Sequence, residues 1–242
     1  MVKQKRIPIK ITPCPITEAI LEIRFDSKYP DEAVFGILYK DFSNTFPNLT
    51  PTPLPILNIP ELIRKQDLNF KFQPHYSLKQ DNLSLQIGPK VISLINTGEY
   101  IGWGTFSRKF REYLEIAQKG DVFESITRIG LRYVNFFDNN ILLNSDLTIK
   151  LPDEEINSQN IFLKTIFQSG QFKSLLQIAN DANFILNGKN GSVLDIDTYI
   201  EQKILFSQVN QLLETGHAEE KKLFYGLLQQ SFIDGKLNPE YT

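Results

Sequence analysis

Ser125-Ile-Thr-Arg-Ile-Gly-Leu-Arg-Tyr-Val-Asn-Phe-Phe-Asp138 changes chemistry at nearly every step. Ile129, Leu131, Tyr133 and Phe137 fall on one side, and Arg128, Gly130 and Arg132 on the other. A period of two belongs to a strand with one buried and one polar face, and it is incompatible with a helix. The segment therefore predicts a half-buried strand that closes the first part of the chain. The same pattern recurs at Thr17–Asp26, where Ala19, Leu21, Ile23 and Phe25 alternate with Glu22, Arg24 and Asp26.

Between these strands the periodicity changes twice. From Asp31 the apolar residues Phe35, Leu38, Phe42 and Phe46 take helical spacing, with Asp31 placed to cap the first turn and Pro47 to end the helix. Pro47, Pro51, Pro53, Pro55 and Pro60 then supply too many residues without an N–H for a helix or a central strand, so residues 47–60 predict an extended connector or lid. Leu68, Phe70 and Phe72, then Leu83, Leu85 and Ile87, then Val91–Ile95 after Gly88-Pro89-Lys90, predict an antiparallel meander. A helix follows from a cap at Thr105 or Ser107, with Phe106, Phe110 and Ala117 on one face and Gly120 as its stop.

Residues 142–160 are polar and carry the charge run Asp153-Glu154-Glu155. They divide the expected organisation into an N-terminal α+β half (1–141), a polar connector (142–160) and a C-terminal α+β half with terminal helices (161–242). In the last half a short helix is expected near Ile161–Phe167. Strands follow near Phe172–Ala179 and Asn183–Leu186, then a Gly188-Lys189-Asn190-Gly191 turn and a strand through Ser192–Tyr199. Val209, Leu212 and Leu213, then Leu223, Phe224, Leu227 and Leu228, predict a helical hairpin or bent helix interrupted at Gly216-His217. This order of elements is that of an α+β fold with mainly antiparallel sheets and packing helices.

Composition narrows the function classes. The chain has 242 residues, a hydrophobic fraction of 41%, a charged fraction of 22% and 18 phenylalanines, so it can bury an aromatic core. A net charge of −2 gives no overall attraction to nucleic acid or anionic lipid. Cys14 is the single cysteine, which excludes an intramolecular disulfide and a multi-cysteine zinc site and fits a reducing compartment. Pro13, Pro15 and Glu18 interrupt the stretch after the basic N-terminus, no apolar run is long enough to span a membrane, and a cytoplasmic location is expected.

His75 and His217 are the only histidines, neither in metal-ligand spacing; His75 reads as a surface residue beside Pro74. No Gly-x-Ser-x-Gly, P-loop or dinucleotide-binding spacing is present. Asp195 and Asp197 share one face of a regular strand and would suit Mg²⁺ in a nuclease or phosphotransfer site; a solvated strand face gives the same pattern. Arg128 and Arg132 flank Gly130 on one face, and Arg24 lies on the polar face of its own strand. The three guanidiniums would converge on an anionic group if those strands pair. The alternative is a solvated face with salt bridges to Glu22 or Asp26.

Pro15-Ile-Thr-Glu-Ala-Ile-Leu-Glu-Ile-Arg-Phe25, Thr127-Arg-Ile-Gly-Leu-Arg-Tyr-Val-Asn135 and Leu194-Asp-Ile-Asp197 resemble a sporadically distributed bacterial family of uncharacterised proteins. The resemblance implies horizontal mobility and an accessory role beside toxin–antitoxin or phage-defence genes. The meander and long helix of the second half also look like the arrangement in SecB-like export chaperones. The function expected is that of a non-enzymatic protein-binding or regulatory protein, without catalytic or metal-binding residues and without a cofactor. Its partner is another protein, met by Arg24, Tyr100, Trp103, Arg128, Arg132 and Tyr133. The alternatives are the metal-dependent enzyme on Asp195 and Asp197, or sequence-tolerant binding of single-stranded nucleic acid by aromatics and arginines.

Overall fold

The structure, a computed structural model, describes residues 5–46, 48–151, 154–155, 161–184 and 188–241. Its strands are β1 (Ile16–Ser27), β2 (Pro51–Pro53), β3 (Tyr76–Gln80), β4 (Leu83–Gly88), β5 (Val91–Thr97) and β6 (Phe123–Phe137). After the short ribbon of β7 (Lys150–Leu151) and β8 (Glu154–Glu155) come β9 (Phe162–Ser169), β10 (Phe172–Phe184) and β11 (Lys189–Ile204). The helices are α1 (Asp31–Thr45), α2 (Glu61–Gln66), α3 (Trp103–Lys119), α4 (Val209–Leu227) and α5 (Gln230–Lys236). Hydrogen bonding orders the nine longer-range strands β2-β3-β4-β5-β1-β6-β11-β10-β9, in an antiparallel α+β arrangement. No helix among the described residues is long and apolar enough to cross a membrane.

The chain forms two compact units. The first comprises Glu18–Leu131 and Tyr199–Glu214, the second Met1–Thr17, Arg132–Thr198 and Thr215–Thr242. Asp153 and residues 156–160 of the polar stretch lie outside the described residues.

In the first unit, β1 and β5 pair with Leu21 opposite Leu94 and Ile23 opposite Ile92, while β4 sets Leu85 and Ile87 against the same two residues of β5. All six are buried, so one apolar row crosses three strands, and a shift of register by one residue would expose it. Phe42 of α1 and Phe46 just after it each meet Tyr113 of α3 edge to face. Asp31 is the first residue of α1 and makes no side-chain cap; with Glu32 it puts negative charge at the helix's positive end. Pro47 lies outside the described residues, and α1 ends at Thr45 with the Phe46 N–H on the Phe42 carbonyl. α3 starts earlier than its hydroxyl residues suggested, at Trp103, after Gly102 at φ 81°.

The proline-rich segment becomes the edge strand β2 on β3, then a 3-10 turn and α2. Prolines at this edge cost no ladder hydrogen bond. The strand expected at Leu68–Phe72 is instead a 3-10 turn, Leu68–Phe70, whose start is capped by the Asp67 carboxylate on the Asn69 N–H, and Leu68 stays exposed. Pairing with β4 begins only at Tyr76.

The second unit buries Leu176, Ile178, Leu194 and Ile196 from β10 and β11 with Phe224 of α4, Leu228 of the link after it, and Phe232 and Ile233 of α5. The helix expected at Ile161–Phe167 is the strand β9, paired with β10 from Phe172–Ser169 to Ala179–Phe162. The expected strand end at 185–186 lies outside the described residues. α4 continues through Gly216-His217 without the expected interruption, because Gly216 is buried on the packed side and tertiary contact outweighs the ~1 kcal/mol helical cost of glycine.

Gly88 ends β4 where a Cβ would stand 2.6 Å from the Gln73 carbonyl and 2.9 Å from the Pro74 Cα. Backbone cannot swing aside as a side chain can. Gly88→Ala is therefore expected to cost about 1–3 kcal/mol in urea unfolding. Gly104→Ala, in the first turn of α3 with open space around it, should be neutral or slightly stabilising.

Candidate functional site

Alternation along β6 puts Arg128 on the polar row, and the neighbouring β1 puts Glu22 and Arg24 on its own. One oxygen of Glu22 accepts from both guanidiniums, from Arg24 Nε at 2.8 Å and from Arg128 Nη1 at 2.6 Å. Arg128 lies 4.7 Å over the Tyr199 ring with its Nε 3.9 Å from Glu201, and Arg24 lies 4.6 Å over Phe72. The Arg128 side chain is only 6% exposed, so its charge is satisfied inside this cluster. Gly130 makes that possible, since a Cβ there would stand 2.2 Å from Arg128 Nη1. The open backbone over Gly130 is occupied by Arg128 itself.

Arg132 belongs to the second unit. Its fork donates Nε to Asp195 Oδ1 at 2.8 Å and Nη2 to Oδ2 at 2.7 Å, and Gln177 Nε2 adds a third bond at 2.9 Å. Asp195 is buried, and both its oxygens serve these donors. A carboxylate committed to a bidentate arginine pair has less to offer a cation. Among the described residues, no group of three or more His, Cys, Asp or Glu is placed to hold a metal ion.

Tyr133 points to the opposite, buried face, its hydroxyl 3.4 Å from His217 Nδ1. In the first unit the Trp103 indole donates to Glu214 Oε2 at 2.9 Å, and Arg111 pairs with the other oxygen of that carboxylate. Tyr100 meets Phe106 edge to face at 6.0 Å. Of the six residues singled out in the sequence, Arg24 and Arg128 are brought together on Glu22, Tyr100 and Trp103 flank the start of α3, and Arg132 and Tyr133 lie on opposite faces of β6.

Three features escaped the sequence. The first is a row on the second unit's outward sheet face: Phe162 and Ile166 of β9 are 68% and 60% exposed, opposite Ala179 and Leu175 of β10. Gln177, the neighbour of Asp195, lies between them opposite Lys164. The second is the buried carboxyl of Glu220 in α4, which desolvation pushes up to about 8, with Lys221 pulling the other way. Its signal was readable, since Glu220 stands four residues from both Gly216 and Phe224 on the apolar stripe. The third is Arg64, whose Nη1 meets His75 Nε2 at 3.3 Å, so that His75 is half-buried and not a plain surface residue.

No known protein family matches the chain, and no curated protein matches it.

Removing the Arg132 guanidinium strands a buried carboxylate. Arg132→Leu is expected to cost about 1–3 kcal/mol in urea unfolding, the exposure of the arginine keeping the loss below that of a fully buried pair. Arg132→Leu with Asp195→Leu should recover much of it in a double-mutant cycle. For Glu220 the folded chain keeps a proton that the unfolded chain releases in the ordinary carboxyl range. Stability therefore falls as pH rises between about 4.5 and about 8 and levels off above. Glu220→Gln should flatten that slope and leave the variant more stable than the wild type at pH 8, as read by thermal unfolding across the range.

Proposed function

We propose that the chain is a non-enzymatic protein-binding protein that takes an extended segment of its partner along β9. One observation carries this: the terminal strand in the hydrogen-bonding order exposes large apolar side chains on its outward face and has no described strand beyond it. An open edge offers unpaired backbone N–H and C=O groups, and natural proteins blunt such edges unless something covers them. An added strand would gain main-chain hydrogen bonds, and its alternate side chains would meet Phe162, Ile166 and Leu175. Lys164 within this row and Lys173 opposite Gln168 favour a segment whose apolar residues are flanked by acidic ones. Arg132 stands on the same outward side through Asp195 and Gln177, which ties part of the arginine face expected for binding to this surface.

The test is capture of partner proteins from nuclease-treated extract of the native host by the tagged full chain and by Ile166→Asp and Lys164→Pro, since the Asn180 N–H on the Ile161 carbonyl sets the odd residues of β9 towards β10 and leaves the even ones with outward N–H groups. The first variant removes apolar contact, and the second removes a backbone donor at the edge. Both are expected to keep the wild-type unfolding temperature within about 3 °C and to lose the partner, whose binding should slow hydrogen exchange at β9 amides in the wild type. Undiminished capture by both variants, or protection elsewhere with none at β9, rejects the proposal.

A further inference from the structure

The first unit contains a cavity of about 530 Å³, within the ~300–1,000 Å³ span of small-molecule sites. Its lining comes from the start of α1, the α2 segment with the turn after it, and the β4–β5 hairpin. Phe35 and Tyr76, stacked at 3.8 Å, provide its flat apolar part with Leu57 and Phe70 beside them.

The charges around it are unevenly satisfied. Lys65 holds Glu32 at 2.6 Å and Glu61 at 2.7 Å, and Asp67 accepts from the backbone and side-chain N–H groups of Asn69. That leaves Arg64, Lys71 and Lys90 with Asp31 as the one remaining carboxylate in the lining, and none of the three cations is within ion-pair distance of a described carboxylate. Arg64 is half-buried, and its Nε is shut off from water with no acceptor among the described residues. Among the described residues the one hydrogen-bond partner of its side chain is His75, and since a guanidinium can only donate, the imidazole must accept through Nε2 and be neutral. Burial, and then the charge of Arg64, hold His75 below its ordinary pKa against the opposing pull of Asp31, and this favours the neutral ring. A neutral ring orients the guanidinium but does not balance its charge. A cation stripped of part of its water without a counter-charge is destabilising, and an anion in the cavity would relieve it.

We infer that this cavity binds a small organic anion with a flat apolar body, its carboxylate or phosphate on Arg64 and its body against Phe35 and Tyr76. Lys71 and Lys90 add attraction from the rim, and the Arg64 fork suits the planar or branched oxygens of either headgroup. The site uses residues of the first unit only and is independent of β9.

Titration calorimetry of the full chain tests it with benzoate and phenyl phosphate, alongside benzamide as the uncharged shape match and inorganic phosphate as the charge without the body. At least one aromatic anion should bind saturably at one site, about tenfold or more tighter than either control. The tighter of the two identifies the headgroup. Arg64→Gln should weaken that binding by about tenfold or more while Ile166→Asp leaves it unchanged. If Arg64→Gln does not fold, the Lys71→Gln/Lys90→Gln pair takes its place, with a loss of about threefold or more expected. Failure of both aromatic anions to saturate, equal binding of inorganic phosphate, or full affinity in whichever of these variants folds overturns the inference.

Discussion

A strand with one buried row must place its other row in water or pair it, and the polar side of β6 meets this constraint by pairing. Its inner residues Ile129, Leu131, Tyr133 and Phe137 are buried, which obliges Arg128 and Arg132 to stand on the far side of the sheet. Each finds a carboxylate on an adjacent strand: Glu22 of β1 for Arg128, Asp195 of β11 for Arg132. The two solutions differ in consequence. Arg128 is sealed beneath Tyr199 and shares its acceptor with Arg24, so it helps fix β1 against β6. Arg132 keeps its side chain partly exposed and is linked through Asp195 and Gln177 to the outward row of β9 and β10.

Much of this was legible from alternation alone. β1, β4 and β6 each show the period-two row that the structure buries, and the salt bridge from Arg24 and Arg128 to Glu22 follows from strand pairing once those rows are read. What misled were short apolar runs whose environment is decided elsewhere. Leu68, Phe70 and Phe72 alternate as a strand does, yet Asp67 caps a tight turn there and no ladder partner begins before Tyr76. Ile161–Phe167 has too few residues to separate helix from strand by periodicity, and pairing with β10 decides it. At Gly216 propensity pointed to a break and packing overrode it.

The candidate sites divide along the same line. Glu220 announces itself by helical spacing, because residues four apart share a helix face and Glu220 stands between Gly216 and Phe224 on the buried one. The edge position of β9 is invisible in sequence, since it depends on strand order and not on any residue of β9. The cavity beside Arg64 is equally hidden, being assembled from segments around residues 31–35, 57–76 and 88–90 that share no motif. Here proline sets geometry without chemistry of its own. Pro51 and Pro53 lay the connector along β3 as an edge strand, Pro60 starts α2, and α2 then delivers Arg64 to His75.

Prolines also make the contrast between the two terminal strands informative. β2 carries Pro51 and Pro53, which deny a backbone donor to any incoming strand and so protect that edge in the manner expected of a finished surface. β9 has no proline, and its outward row is Phe162, Lys164, Ile166 and Gln168, with one charge in four residues. Selection against aggregation acts on both edges alike, so an apolar edge with no described strand beyond it, in a chain that blunts its other edge, needs a compensating cause. The proposed partner segment would supply one, because a strand covered in its working state is relieved of the requirement that shaped β2.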